Sequence, residues 1–448
     1  GQEVKQVIAD QLVNDSWPKF LHPYPLSDKY FLVASQPKAG AAWGLYLVDT
    51  FDNMLLLREE PGYAMLEPVP IHATQRPPVV PDKVNLKSRE GNVYIQNIYA
   101  GPGLRGVPVG AVKNLRVFTY EFSYHNMGGL LGVIGLDGPW DMKRIMGTVP
   151  VEPDGSAFFK IPANTPVSIQ PLDDQGRAMQ IMRSWMTAMP GETLSCVGCH
   201  ETQNSAPLPK AGAAVRRAPD EIKPWYGPTR GFSYAREVQP VIDRYCIGCH
   251  DGSKTAADLR GNKNITDWAI VHAGNGGSNG GRFSVGYAEL TRYVRHPGIE
   301  SDYHVLAPME FSAETTDLVR LLRKGHYGVQ LDAESWDRLY TWIDLNAPYH
   351  GTWTDAGHNP GEQRARRRDL LKLYANVDDD PEAEAGGPAV KLTEAPAAPL
   401  AEPQSEPVPL PEGWPLSPDG ALLAQKTASR RQHRTLDLGG GQVIDLVL

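Results

Sequence analysis

Short apolar runs broken by Gly, Pro, Asn and Asp fill the N-terminal part of the chain. They predict strands at Tyr30–Ser35, Trp43–Asp49 and Met54–Arg58, each rich in Leu, Val, Tyr or Phe. One sheet of this kind cannot bury both of its faces, so residues 1–75 read as a sheet from a repeat and not as a whole domain. The Pro-rich stretch Gln75–Pro81 marks a boundary. Beyond it the pattern predicts strands at Asn92–Tyr99, Leu115–Ser123, Ala157–Ile161, Pro166–Leu172 and Met179–Met186. Turn signals separate them at Gly101–Gly103, Pro153–Gly155 and Asp174–Gly176. A β-sandwich-like middle domain over 76–215 follows from that pattern.

Residues 232–350 switch to the period of helices, and 216–376 reads as a helical domain around them. Val238–Tyr245 begins one, with Pro240 tolerated in its first turn. Asp317–Lys324 gathers Leu318, Leu321 and Leu322 on one face, and Gly325 stands where a left-handed residue would end the helix. In Ala333–Leu345 the residues Trp336, Leu339, Tyr340 and Ile343 recur at helical spacing, with Asp332 as N-cap. Gln363–Tyr374 is also helix-like, and its Arg366–Arg368 run reads as a solvated face. Residues 377–415 hold nine prolines and most of an acidic cluster, the composition of a disordered linker. Residues 416–448 end in an apolar strand, Val443–Leu448, expected to start a further, truncated domain. The fold class is thus α+β and multidomain.

Charge changes little in this picture. The chain has 448 residues and a formal net charge of −8, and Val377–Gly413 alone accounts for −8 through nine acids against Lys391. The remainder is near neutral, so no global field favours nucleic acid. No apolar run reaches the ~18 residues of a membrane span, and no signal peptide is visible, although a leader removed before Gly1 is compatible with the sequence.

Cysteine usage changes it most. All four cysteines fall in two copies of C-x-x-C-H: Cys196/Cys199/His200 and Cys246/Cys249/His250. Two thiols a turn apart can add to the two vinyl groups on one porphyrin edge, and the adjacent His then lies under the iron as an axial ligand. Two rival chemistries fit less well. A thioredoxin-like pair needs a βαβ setting that neither copy has. A four-cysteine zinc site would span a gap of 46 residues between the pairs and has no use for a His after each. Two covalently attached c-type haems are the reading, with His200 and His250 as proximal iron ligands.

The distal ligands stay open. For the second haem, His326 lies 76 residues after His250 and Met309 lies 59 after it. His326 is favoured over Met309, with His304, His296 and an open position as the remaining options. A second His would lower the potential and a Met would raise it. For the first haem, His125, Met127 and His72 are candidates, as is a five-coordinate iron; an open position is what a catalytic haem needs. Tyr245, Trp336, Tyr340 and Trp342 are expected to wall the second haem. Asp137–Asp141 reads as a turn around a packed Trp.

Several segments resemble the hydrazine synthase alpha subunit and its planctomycete relatives. They are Trp43–Asp49 leading to Glu59–Tyr63, Gly147–Phe159, Met189–Glu201 and Trp342–Trp353. The resemblance implies a β-propeller, a β-rich middle domain with one c-haem, and a helical cytochrome c-like domain whose haem has two histidine ligands. Residues 1–75 would then be the C-terminal part of the propeller, with its other blades beyond this chain. Lys324–His326 is similar to the segment carrying the distal ligand, and Thr435–Leu448 to the start of a formylglycine-generating-enzyme-like domain. Two departures matter. The family's first haem has unusual ligation with a nearby zinc and an extra cysteine, whereas this chain has no fifth cysteine and no tyrosine directly after His200.

Three functions are compatible with these readings: a diheme electron-transfer protein or module, a haem enzyme acting on a small molecule at the first haem, and an interaction protein with redox-sensing haems. Expected partners are a redox protein or other subunits. Haem is attached to thiols outside the cytoplasm, so the expected location is periplasmic or an equivalent compartment.

Overall fold

The computed structural model describes residues 10–73, 75–125, 132–136, 141–200, 210–253, 256–265, 283–295, 297, 306–384, 389–392, 433–437 and 443–447. These divide into two compact units, Gly1–Asp82 and Lys83–Leu448.

The first unit is one antiparallel sheet of four strands in sequence order: β1 (Lys19–Pro25), β2 (Tyr30–Gln36), β3 (Gly44–Asp49) and β4 (Met54–Arg58). Three of these match the alternating apolar runs. β1 (KFLHPYP) lies outside those runs, because Pro and His interrupt its pattern. Val33, Ala34 and Ser35 of β2 are buried, while Phe20, Leu21, Leu55, Leu56 and Leu57 are exposed.

In the second unit two sheets enclose a core. One has β5 (Glu90–Ile95) at its centre, between β8 (Ala157–Pro162), antiparallel to it, and β10 (Thr193–Cys196), parallel to it. The other runs β11 (Lys223–Pro224), β7 (Met142–Pro150), β6 (Asn114–Glu121), β9 (Val167–Leu172), with β12 (Arg230–Gly231) also on β7. Val93 and Ile95 of β5, Phe159 and Ile161 of β8, Leu115 and Val117 of β6, and Val149 of β7 share one buried cluster. Alternate residues supply it, as the two-residue period of strands requires. Two sheets sharing this buried cluster make this part of the unit sheet-rich, as its strand pattern predicts.

The strand expected at Met179–Met186 is not there. Only isolated bridges form, Val167 with Met186 and Leu172 with Ala178. Gln180 turns its amide away to distant carbonyls instead of extending a ladder.

Residues of β6 and β7 also serve a second core. Phe118 of β6 and Ile145 of β7 pack with helices α2 to α5. The helices are α1 (Tyr234–Glu237), α2 (Gln239–Tyr245), α3 (Val285–Thr291), α4 (Asp317–Arg323), α5 (Ala333–Asp344) and α6 (Glu362–Leu370). Asp332 caps α5 by accepting from Ser335 N, and Gly325 follows α4 at φ 91°. Both features were legible in the sequence.

A buried ion pair joins β6 to α5. Arg116, 1% exposed, donates to Asp344 at 3.0 Å, Gln170 at 2.8 Å, Thr341 at 3.0 Å and the Gly176 carbonyl at 3.0 Å. Asp344 also accepts from Ala178 N at 2.8 Å. Burial raises the Asp344 carboxyl even so, against the pull of Arg116.

The acidic stretch expected to be a disordered linker from Val377 is docked in its first residues. Asp379 pairs with Arg144, and Asp380 with Arg364 at 2.8 Å. Glu382, 2% exposed, accepts from the backbone N–H groups of Trp353 and Thr354 at 3.0 and 2.9 Å. Leu392 packs on the helical core. Charge composition signalled solvation here, but complementary arginines and two orphan N–H groups give these acids buried partners. The Arg366–Arg368 run is likewise only partly a solvated face. Arg367 engages Glu121 and lies 3.6 Å over the Tyr124 ring, and Arg368 reaches Asp378 at 3.2 Å. Residues 393–415 lie outside the described residues, as do 137–140 of the expected Asp137–Asp141 turn. The C-terminal strand Val443–Val447 (β14) pairs with β13 (His433–Asp437) as a hairpin. Among the described residues no helix is long and apolar enough to cross a membrane.

Candidate haem sites

The second C-x-x-C-H loop begins where α2 ends. Cys246 is the C-cap residue, and its carbonyl accepts from Cys249 N at 3.1 Å and His250 N at 3.0 Å. That tight turn brings the two sulfurs and the imidazole into one short loop. His250 Nδ1 lies 2.9 Å from the Ala257 carbonyl. A carbonyl only accepts, so Nδ1 carries the proton and Nε2 keeps its lone pair for a metal. Outer-shell bonds of this type commonly orient a ligating histidine.

Facing it is His326. The left-handed turn at Gly325 ends α4 and throws the next residue back toward α2. The His250 and His326 ring centroids are 6.1 Å apart, with the rings inclined by 35°. Two metal–nitrogen bonds of about 2 Å, plus about 1 Å from each nitrogen to its ring centre, put the centroids of two axial imidazoles about 6 Å apart. The observed spacing fits an iron between them. Burial, and then the neighbouring His250, lower the His326 pKa and so favour its neutral, ligating form.

Two further features mark the surroundings of this loop. The Tyr234 hydroxyl is fully buried, makes no hydrogen bond, and lies near Cys246. Burial pushes the free Cys246 thiol up to about 12. Among the described residues no three His, Cys, Asp or Glu side chains gather as a metal site, so the two thiol pairs do not form one four-cysteine cluster.

Of Met309 the backbone position is fixed by one bond. Its N–H donates to the Met179 carbonyl at 2.8 Å, in a segment that packs on the middle domain. His296 and His304 lie outside the described residues. Of the expected aromatic wall, Tyr245 bonds Asp332 at 3.2 Å, Trp336 stacks on Tyr340 at 5.2 Å, and Trp342 is core, packed against Tyr234.

The first loop follows β10, whose pairing with β5 places Cys196 opposite Ile95. The loop 96–104 wraps it: Cys199 N donates to Ile98 O at 3.3 Å, and Gly103 N to Cys199 O at 3.1 Å. Gly103 is a glycine for a steric reason, since a Cβ there would lie 2.5 Å from Cys199 Sγ. Cys196 and Cys199 pack at the edge of the sandwich core, while His200 is exposed with φ 64°. Two thiols and an outward imidazole on one short loop are a donor set that fits a haem attached at the sandwich edge. Among the described residues no second ring packs on His200. His125 is held by a bond from its N–H to Gln363 at 2.8 Å, and Met127 lies outside the described residues. His72 belongs to the first unit, where it bonds Tyr24 at 3.2 Å.

Sequence reasoning missed Ala257, Tyr234, Gly103 and Gln180. Their roles come from carbonyl position, burial and close approach, which leave no motif in the chain.

A β-sandwich ending in one C-x-x-C-H loop, joined to helices bearing another, defines a mixed, sheet-rich chain with paired thiol–imidazole sites. Residues 110–201, which include the whole first motif, match the family model of the hydrazine synthase alpha subunit middle domain. Among solved structures, Kuenenia stuttgartiensis hydrazine synthase matches 74% of this chain at 16% identity with a TM-score of 0.52. The present chain covers 55% of that chain, little more than half its length. No curated protein matches the sequence. Residues 110–201 are therefore similar to the hydrazine synthase alpha subunit middle domain, and the fold of the chain is similar to that of a hydrazine synthase.

Proposed function

We propose that this protein is an extracytoplasmic diheme oxidoreductase with two unequal sites. Cys246, Cys249, His250 and His326 hold a relay haem, and Cys196, Cys199 and His200 hold a haem with an exposed distal side that takes a small molecule. The observation that carries the proposal is the asymmetry of the imidazoles. His250 has His326 at 6.1 Å, whereas His200 has no ring partner among the described residues. A c-type haem supplies one-electron redox chemistry and, where one axial position is open, a site for a small ligand. Around the relay site the chain's own groups do specific work. Ala257 O fixes the His250 tautomer, Gly325 aims His326, and the buried helix core excludes water from one side of the Cys246 loop.

The relation to the hydrazine synthase alpha subunit supports an enzyme over a carrier that only transfers electrons. The carrier reading fits the second site alone. In the same reading residues 216–376 form a cytochrome c-like module. The four-stranded sheet of the first unit is a propeller blade whose exposed Phe20, Leu55 and Leu57 are strips for neighbouring blades. A redox protein or sister subunits complete the system.

The test is a haem count on paired variants. Wild type should carry two covalent haems, Cys196→Ser/Cys199→Ser one, and Cys246→Ser/Cys249→Ser one. A wild-type protein without covalent haem refutes the proposal.

A further inference from the structure

Gln180 is 8% exposed, and its side-chain amide spans two distant parts of the second unit. Its Nε2 donates to the Gly103 carbonyl at 2.7 Å and to the Leu306 carbonyl at 2.8 Å, while its Oε1 accepts from Ile181 N at 2.8 Å. Both amide donors and the amide oxygen are thus directed at backbone, which fixes the amide orientation as well as its position. Neither carbonyl belongs to a sheet ladder that would hold it without Gln180.

One end of this link leads to a haem site. On one side Gly103 N donates to Cys199 O, and the missing Gly103 Cβ is the space that Cys199 Sγ fills. A shift of Gly103 therefore moves the wall against the sulfur that anchors the first porphyrin edge, one residue before His200. On the other side Leu306 opens the segment that runs through Met309, bonded to Met179 O, into α4 and the Gly325 turn. His326 lies 20 residues beyond Leu306.

We infer that Gln180 is a positioning residue for the first haem, holding the Cys199 loop through Gly103 with the Leu306 carbonyl as its anchor; the 20 residues and the helix α4 between Leu306 and His326 keep the second site outside its reach. This rests on the reading of Cys196, Cys199 and His200 as a haem site. If that reading fails, wild type lacks the haem that Cys196→Ser/Cys199→Ser should remove, and the failure shows before Gln180 is varied.

The experiment uses the full haem-loaded chain with Gln180→Met, which keeps volume and removes both donors. EPR and redox titration are read for both haems, with signals assigned from the single-haem variants. The expected result is two covalent haems, a displaced signal and potential for the first haem, and an unchanged signal for the His250/His326 haem. A merely structural role would move both haems together or neither, and either outcome overturns the inference. Should Gln180→Met fail to fold, Gln180→Asn keeps the amide but is one methylene short, so it can satisfy one carbonyl at most. It should displace the first haem's signal in the same direction by less, and an unchanged first-haem signal overturns the inference equally.

Discussion

Replacing Arg116 with Met removes the cation that joins the β6 sheet to α5. The change leaves Asp344 ionised, fully buried and without its counter-ion, and it leaves Gln170, Thr341 and the Gly176 carbonyl each short of one donor. Removing one partner of a buried pair costs about 3–5 kcal/mol, because the stranded charge keeps its desolvation penalty. Asp344 escapes part of this by binding a proton. Its pKa is already raised by burial, and loss of Arg116 raises it further. A carboxyl whose folded pKa lies above its unfolded value destabilises the fold once ionised, so the Arg116→Met deficit should shrink as pH falls toward about 4. The double variant Arg116→Met/Asp344→Leu removes both charges and should recover a large part of the loss, since apolar replacements of buried pairs are often near neutral. Urea unfolding followed by tryptophan fluorescence at pH 5 and pH 8 measures all three. A cost for Arg116→Met below about 1 kcal/mol, or a double variant no better than the single one, refutes the argument that the charge pair bridges the two cores.

Other expectations follow from individual contacts. His326→Ala should convert the second haem from a low-spin to a ligand-accessible form, read by its visible and EPR spectra, while the first haem's spectrum stays as it is; an unchanged second haem excludes His326 as ligand. Glu121 is pushed up to about 7 by burial, against the pull of Arg367. Protonation therefore favours the fold, and wild type should lose about 3 kcal/mol relative to Glu121→Gln as pH rises from about 4.5 to 7. Parallel stability curves for the two proteins over that range contradict this. Glu382→Ala leaves the buried Trp353 N–H and the half-buried Thr354 N–H without their acceptor and should raise the rate of limited proteolysis around residues 377–392. Gly103→Ala should cut haem attachment at the first motif while sparing the second, because its Cβ would meet Cys199 Sγ.

The local chemistry of the second site was largely written in the sequence. The helix N-cap at Asp332, the left-handed Gly325 and the C-x-x-C-H loop are short-range signals, and each depends on only a few neighbouring residues. His326 is favoured by its place after Gly325 and by the likeness of Lys324–His326 to a segment carrying a distal ligand, and the structure sets its ring 6.1 Å from that of His250. What lay hidden was long-range. β7 (MKRIMGTVP) carries Lys143, Arg144 and Gly147, which argue against a central strand. Arg144 is neutralised by Asp379, 235 positions away, and Gly147 is needed because a Cβ there would run into the Lys223 carbonyl. The docked acids at Asp379–Glu382 are the other half of that exchange, so composition misread both segments for one reason.

The central claim is the inequality of the two sites, and carbon monoxide binding to the fully reduced protein tests it most directly. The account predicts one CO per chain, retained in Cys246→Ser/Cys249→Ser and abolished in Cys196→Ser/Cys199→Ser. No CO binding by wild type, or CO binding confined to the haem at His250, would contradict it.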